Sequence, residues 1–327
     1  MDLSQNGKKT VAVKAENLVR NYGKNRALKG VSFEIGEREI VGLIGPNGAG
    51  KSTTMNILSG YLPPSSGKVQ ICGIDLLKDP LAARSHIGYL PEIPPLYADM
   101  TVAEQIRFAC RLSKVPKRGK ELDEYVTELC DKTHVTHMKK RLIRNLSKGY
   151  RQRVAVAQLL AGDPQILILD EPTVGLDPRQ IREFRDLFLE LGQTHTVIFS
   201  SHILSEINSI CSRVLIFDQG EILADGEPEQ LQQQLSGEKR LLLTLRGSWE
   251  EAAGRIRQRE DVRLAQVKPG EDPALAELVL SVGSGEDFPE GLSTLIADAG
   301  CEILLMQPET VSLEDLYLNI TRTRRQT

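Results

Sequence analysis

Gly45-Pro46-Asn47-Gly48-Ala49-Gly50-Lys51-Ser52-Thr53 follows directly on the apolar run Ile40-Val41-Gly42-Leu43-Ile44. A strand that ends in a glycine-rich turn and opens a helix is the setting a phosphate-binding loop needs. The glycines let the backbone curl so that successive N–H groups face phosphate oxygens, and the helix N-terminus offers its positive end to the same anion. Lys51 can then reach the β and γ phosphates, and Ser52 is placed to hold Mg²⁺. This stretch predicts a nucleoside triphosphate site and an α/β fold around it.

Working outward, strand and helix signals alternate with one interruption. Strands are expected over 11–18 and 31–35, on either side of the loop Tyr22-Gly23-Lys24-Asn25, with the helix after the phosphate loop running over 51–58. Pro63-Pro64-Ser65-Ser66-Gly67 marks a loop before a strand over 68–72. From 102 to about 140 apolar residues recur at helical spacing, at Val102, Ile106, Ala109 and Leu112 and again at Leu122, Tyr125, Val126 and Leu129. This reads as a helical insert, in all a subdomain over about 93–162. The α/β pattern returns with a strand over 166–169, a helix over 179–191, and strands over 196–200 and 214–217.

At 327 residues with 40 % apolar content the chain can bury one large core or two ordinary ones. A net charge of −3 gives no electrostatic reason to expect nucleic acid as a partner. Cys72, Cys110, Cys130, Cys211 and Cys301 are scattered, without a Cys-x-x-Cys pair, which argues against a disulfide framework or a zinc site and fits a reducing cytosol. His134 and His137 lie three apart, but no carboxylate or cysteine is spaced to complete a metal site with them. Residues 1–10 read as a flexible N-terminus without the apolar core of a signal peptide, and no run reaches the roughly eighteen apolar residues of a membrane span. Any membrane role is expected to come through a separate chain.

The glutamine-rich segment over 230–237 is expected to part a first domain, 11–236, from a second, 237–327. In the second, strands are expected over 241–245, 262–267, 277–282 and 301–306, with helices over 249–259 and 288–299. That order predicts a small α+β domain of βαββαβ type. A last helix opens at the capping box Ser312-Leu313-Glu314-Asp315, and Arg322, Arg324 and Arg325 end the chain.

Ile166-Leu167-Ile168-Leu169-Asp170-Glu171 is a buried parallel strand that delivers two carboxylates at its C-terminal end, where ligands of such sheets bind. Adjacent acids there repel without a cation. Asp170 suits the Mg²⁺ shell through water, and Glu171 suits polarising the water that attacks the γ-phosphate. Leu146-Ser147-Lys148-Gly149-Tyr150 precedes a helix expected over 154–161, a second place where backbone N–H groups and a helix N-terminus could meet phosphate.

Together these motifs resemble the ATPase subunit of ATP-binding cassette (ABC) transporters, over about residues 11–235. The family signature usually reads Leu-Ser-Gly-Gly-Gln, and here Lys148 and Tyr150 replace its third and fifth residues. The resemblance implies that Ser147 and Gly149 contact the γ-phosphate held by a second ATPase subunit, a copy of this chain or a paralogue, in an ATP-sandwiched dimer. It implies that ATP lies on the loop from Gly45 through Pro46, Asn47, Gly48, Ala49, Gly50, Lys51 and Ser52 to Thr53, with its adenine stacked on Tyr22. Asp177, in Val174-Gly175-Leu176-Asp177-Pro178, resembles the loop that links the two sites, and His202 resembles the switch histidine that contacts the γ-phosphate. Ile87-Gly88-Tyr89-Leu90-Pro91-Glu92 resembles the loop that usually ends in Gln, contacts Mg²⁺ and the attacking water, and senses the membrane subunit.

Glu92 in that place resembles the exporters with ABC-2-type permeases, among them the gliding-motility and multidrug export ATPases. The implied protein is an ATPase that powers export through an ABC-2-type membrane permease, held at the cytoplasmic face of the membrane by that partner. Pro91, Pro94 and Pro95 bracket the loop, and Tyr97 and Met100 are the residues expected against the permease. The alternative is a soluble regulatory ATPase acting on ribosomes or DNA. Such relatives usually carry a second ATPase domain or long coiled-coil arms, and neither is seen in this sequence.

Overall fold

The apolar run at 40–44 becomes a strand at the middle of a sheet, and the phosphate loop leaves that strand at its C-terminal end. The computed structural model describes residues 10–201, 207, 209–231, 239–259, 261–270, 272–282, 289 and 291–309. The chain divides into two compact units, Met1–Pro228 and Glu229–Thr327.

In chain order the first unit contains β1 (Val11–Tyr22), β2 (Asn25–Gly36), β3 (Ile40–Ile44), α1 (Lys51–Leu58), β4 (Ser66–Ile71), β5 (Ile74–Asp75), α2 (Pro80–Ser85) and β6 (Ile87–Leu90). After these come α3 (Val102–Leu112), α4 (Gly119–Lys132), α5 (Lys148–Leu159), β7 (Ile166–Leu169), α6 (Pro178–Gly192), β8 (Thr196–Ser200), β9 (Arg213–Asp218) and β10 (Glu221–Gly226). One sheet has the order β10-β9-β3-β8-β7-β6, parallel throughout except for the edge strand β10. Strands β7 and β8 are buried at every residue, which is why β7 reads as an unbroken apolar run and β8 as an apolar centre, Val197-Ile198-Phe199, between a threonine and a serine. The other sheet, β2-β1-β4-β5, is antiparallel.

Helix α1 is clamped between the two sheets. Met55, Ile57 and Leu58 share one core with Val13, Leu18, Val69 and Ile71 of the antiparallel sheet and Ile168, Ile198 and Leu215 of the parallel one. Each such side chain contributes on the order of 1.5–3 kcal/mol when fully buried, so the helix that opens at Lys51 is fixed by packing rather than by its own propensity. The insert holds α3, α4 and α5 packed on one another, with α3 opened by a capping box between Thr101 and Glu104. No helix among the described residues is long and apolar enough to cross a membrane.

Most expected helix and strand spans agree with these elements to within a few residues; β2 starts at Asn25, ahead of the expected 31, and β5, α2 and β6 were not expected. Helix α5 begins at Lys148, six residues before the expected start, because Ser147 caps it by accepting the N–H of Tyr150. Gly149 is carried inside that first turn because the turn packs on α6: a Cβ there would lie 2.8 Å from Gln180 Cδ. Strand β10 was not expected, since its polar residues suit an edge, where Asp225 pairs with Arg213 at 2.6 Å.

The second unit runs β11 (Lys239–Gly247), α7 (Trp249–Ile256), β12 (Val262–Pro269), β13 (Leu275–Val282), α8 (Leu292–Asp298) and β14 (Cys301–Glu309). Its sheet has the order β12-β13-β11-β14 with every pair antiparallel, the βαββαβ arrangement expected. Leu243, Leu245, Leu278 and Leu280 pack with Ala252, Ile256, Leu292 and Ile296 of the two helices in a core of its own. The capping box at Ser312 and the arginines at 322, 324 and 325 lie outside the described residues.

Candidate active site

Three glycines shape the phosphate loop, each at positive φ. Gly45 (φ 151°) is buried so closely on the Phe217 carbonyl oxygen that no side chain fits, and at Gly50 (φ 112°) a Cβ would lie 2.7 Å from Leu28 Cδ2. Gly48 (φ 81°) faces open space, with nothing within 4 Å of where a Cβ would stand. Gly50 is also the N-cap of α1, and no side chain caps that helix. The concave turn thus presents backbone N–H groups and an uncapped helix end to one open space, which fits the phosphates of a nucleotide. Pro46 and Asn47 are exposed, Ala49 is buried and Thr53 is half-buried beneath the loop.

Lys51 lies folded into this turn, its Nζ donating to the carbonyls of Gly45 at 2.6 Å and Pro46 at 3.1 Å. Burial pushes its pKa down, against the opposing pull of Glu171 and Asp170. The ammonium is therefore held ready beside the anion site and close to both acids.

The two carboxylates arrive from β7, separated from β3 by β8. Ser52 Oγ donates to Asp170 Oδ1 at 3.3 Å, and Ser200 Oγ donates to the same oxygen at 2.6 Å. Ser200 Oγ in turn accepts the Glu171 N–H at 2.9 Å, while the Asp170 N–H donates to the Leu90 carbonyl at 2.8 Å. Glu171 adopts the left-handed conformation (φ 49°), uncommon for a residue with a side chain and typical of functional sites held by their surroundings. A serine hydroxyl and an aspartate carboxylate in contact are hard oxygen donors of the kind Mg²⁺ takes, so Ser52 and Asp170 fit the ion.

Ser200 was missed by sequence reading, where it served only as the strand end before His202. It is fully buried at the end of β8, the strand lying between the one that carries the loop and the one that carries the acids. Only topology makes that position central. Ser200→Ala is expected to lower kcat about tenfold with little change in ATP affinity, since it frees both the Asp170 carboxylate and the Glu171 backbone. Steady-state kinetics on the purified chain check this, and an unchanged kcat would remove Ser200 from the site.

Other expected residues stand apart from this cluster. Tyr22 is exposed at the β1–β2 turn, with the Arg20 guanidinium 4.9 Å from its ring centre. Glu92 is exposed beyond the end of β6 and joins none of the hydrogen bonds around Asp170. Asp177 caps α6, accepting the N–H groups of Arg179 at 3.0 Å and Gln180 at 2.9 Å. Ser147 and Gly149 open α5 and pack toward α6, taking no part in the phosphate loop of their own chain. His202 lies outside the described residues.

Residues 28–174 match the family model described as ABC transporter. The chain is 34 % identical to the linearmycin resistance ATP-binding protein LnrL of Bacillus subtilis (strain 168), over 96 % of this chain and 99 % of that protein. It is also 34 % identical to the lipopolysaccharide export system ATP-binding protein LptB of Haemophilus influenzae, over 66 % of this chain and 91 % of the relative. Among solved structures it resembles an ATP-binding cassette seen as a dimer in a post-hydrolysis state bound to ADP and Pi, at TM-score 0.61 and 27 % identity, over 66 % of this chain and 98 % of that one.

Proposed function

Since this chain belongs to the ABC transporter family as an ATP-binding subunit with ATPase activity, we propose that it powers export through a separate ABC-2-type membrane permease, working as an ATP-sandwiched dimer on the cytoplasmic face. The observation that carries the chemistry is the convergence of Lys51, Ser52, Asp170 and Glu171 at the C-terminal ends of the sheet's inner strands, with Ser52 on Asp170 and the two acids joined through Ser200. The phosphates of ATP lie in the concave turn from Gly45 to Thr53, with Lys51 leaving the loop carbonyls for the β and γ phosphates and Tyr22 beneath the adenine. Ser52 and Asp170 would hold Mg²⁺, which would neutralise phosphate charge, with Glu92 proposed as a further oxygen donor to it.

Glu171 accepts the proton of the water that attacks the γ-phosphorus as the bond to the bridging oxygen of ADP breaks, which yields ADP and phosphate. Ser147 and Gly149 of each chain cover the γ-phosphate held by the other, with Asp177 linking the sites and His202 contacting the γ-phosphate.

Export is supported by the two relatives, one named for linearmycin resistance and one for lipopolysaccharide export. A permease is supported by apolar side chains left in water around the Glu92 loop: Ile93 is 83 % and Tyr97 54 % exposed. Met100, half-buried, continues the same loop. Ile93→Asp and Tyr97→Asp are expected to cut recovery of the membrane chain in detergent pull-downs at least about tenfold, with ATP affinity unchanged, because burying an unpaired charge at a contact costs several kcal/mol. Full co-purification of both variants, or recovery of the wild-type chain on ribosomes or DNA only, would replace transport with the soluble alternative.

A further inference from the structure

Gln105 is a polar side chain in the middle of the insert, 1 % exposed, and satisfied from both ends. Its Oε1 accepts the backbone N–H of Tyr97 at 3.0 Å, and its Nε2 donates to Gln158 Oε1 at 2.6 Å. Tyr97 belongs to the loop after Glu92, and Gln158 to the last turn of α5, the helix that Ser147 caps. The other end of the same loop is zipped by its backbone to the segment leading into Ser147. The N–H of Arg144 donates to the Ala98 carbonyl at 3.1 Å, that of Ile143 to Met100 at 2.9 Å, and that of Val102 to Arg141 at 3.1 Å. Thr101 bridges Leu142, and Arg144 pairs with Asp99 at 2.8 Å. The loop is thus attached to the signature helix at both of that helix's ends.

We infer that Gln105 is a positioning residue that pins the loop over 96–103 to α5, so that loop and Ser147 shift as one body and nucleotide closure is felt at the surface where a partner would dock. The backbone zipper alone fixes the loop's 98–102 side. Without Gln105, the Tyr97 end keeps its ring against Phe108 of α3, 5.5 Å between ring centres, but loses its tie to α5, and water can take the N–H of this exposed residue. A buried amide bonded at both ends has one stable arrangement, which is what transmitting a small displacement requires.

The inference rests on the reading that Ser147 closes on a second chain's nucleotide, and its test needs no permease. Hydrogen exchange is followed on the full chain carrying Glu171→Gln, with and without ATP and Mg²⁺. With Gln105 present, ATP should slow exchange over 96–103 about fivefold or more. Gln105→Met keeps the volume and loses both bonds: the slowing over 96–103 should vanish while ATP-induced protection over 45–53 persists. Gln158→Met should act like Gln105→Met, with the double variant no worse than either.

An ATP response over 96–103 that survives Gln105→Met, one already absent with Gln105 in place, or additive losses in the double variant each overturn the inference. Failure to recover a membrane chain would strike the transport reading alone.

Discussion

Glu171→Gln should abolish steady-state ATP hydrolysis, by about 10³-fold or more, and leave ATP affinity within about twofold. The amide keeps the shape of the side chain but cannot accept the proton of the attacking water. The backbone hold should also survive: the Glu171 N–H donates to Ser200 Oγ at 2.9 Å whatever the side chain. A 10³-fold loss corresponds to about 4 kcal/mol of barrier, within what a positioned base contributes. Because binding is retained and turnover is not, the variant should accumulate as an ATP-bound dimer on size-exclusion chromatography. Single-turnover assays separate the two effects: a rate within about tenfold of wild type leaves ~1.4 kcal/mol or less to Glu171, and another group must then be the base.

The phosphate loop and the acids were legible in the sequence because each is a local pattern. A buried strand, glycine punctuation and the lysine fall within fifteen consecutive residues, and the run 166–169 ends on its two carboxylates. Ser200 and Gln105 were not legible for the opposite reason. Ser200 matters because β8 is inserted between β3 and β7, a fact of strand order. Gln105 stands on α3 among Val102, Ile106 and Ala109, and the residue that explains it, Gln158, lies 53 positions away.

The early start of α5 was hidden by Gly149, which weakens a helix unless packing holds it, and Gln180 supplies that packing. Glu92 was expected beside the metal on the strength of resemblance; it is exposed two residues beyond Leu90, whose carbonyl accepts the Asp170 N–H.

Mixing two inactive variants should restore activity if the site is shared between chains. Lys51→Ala removes the ammonium that faces the β and γ phosphates, and Ser147→Arg places a bulky cation where the signature turn of one chain meets the nucleotide of the other. Each variant alone has both sites of its dimer broken, so each should lose at least about 10²-fold. In a mixed dimer, Lys51 of the Ser147→Arg chain meets Ser147 of the Lys51→Ala chain, and that one site is whole. Random pairing at equal concentrations makes about half the dimers mixed, each with one intact site of two, so about a quarter of wild-type activity should return if sites fire independently.

The proposed ATP-sandwiched dimer leads to this result. Lys51 donates to its own loop carbonyls, and Ser147 caps α5 without entering the hydrogen bonds of that loop, which agrees with the proposal that a second chain supplies the covering turn. The same logic makes wild-type specific activity rise with concentration until dimerisation saturates. Activity proportional to concentration from a chain shown by sedimentation to be monomeric, together with no recovery on mixing, would mean that one chain hydrolyses ATP alone and that its signature turn serves as a helix cap and nothing more.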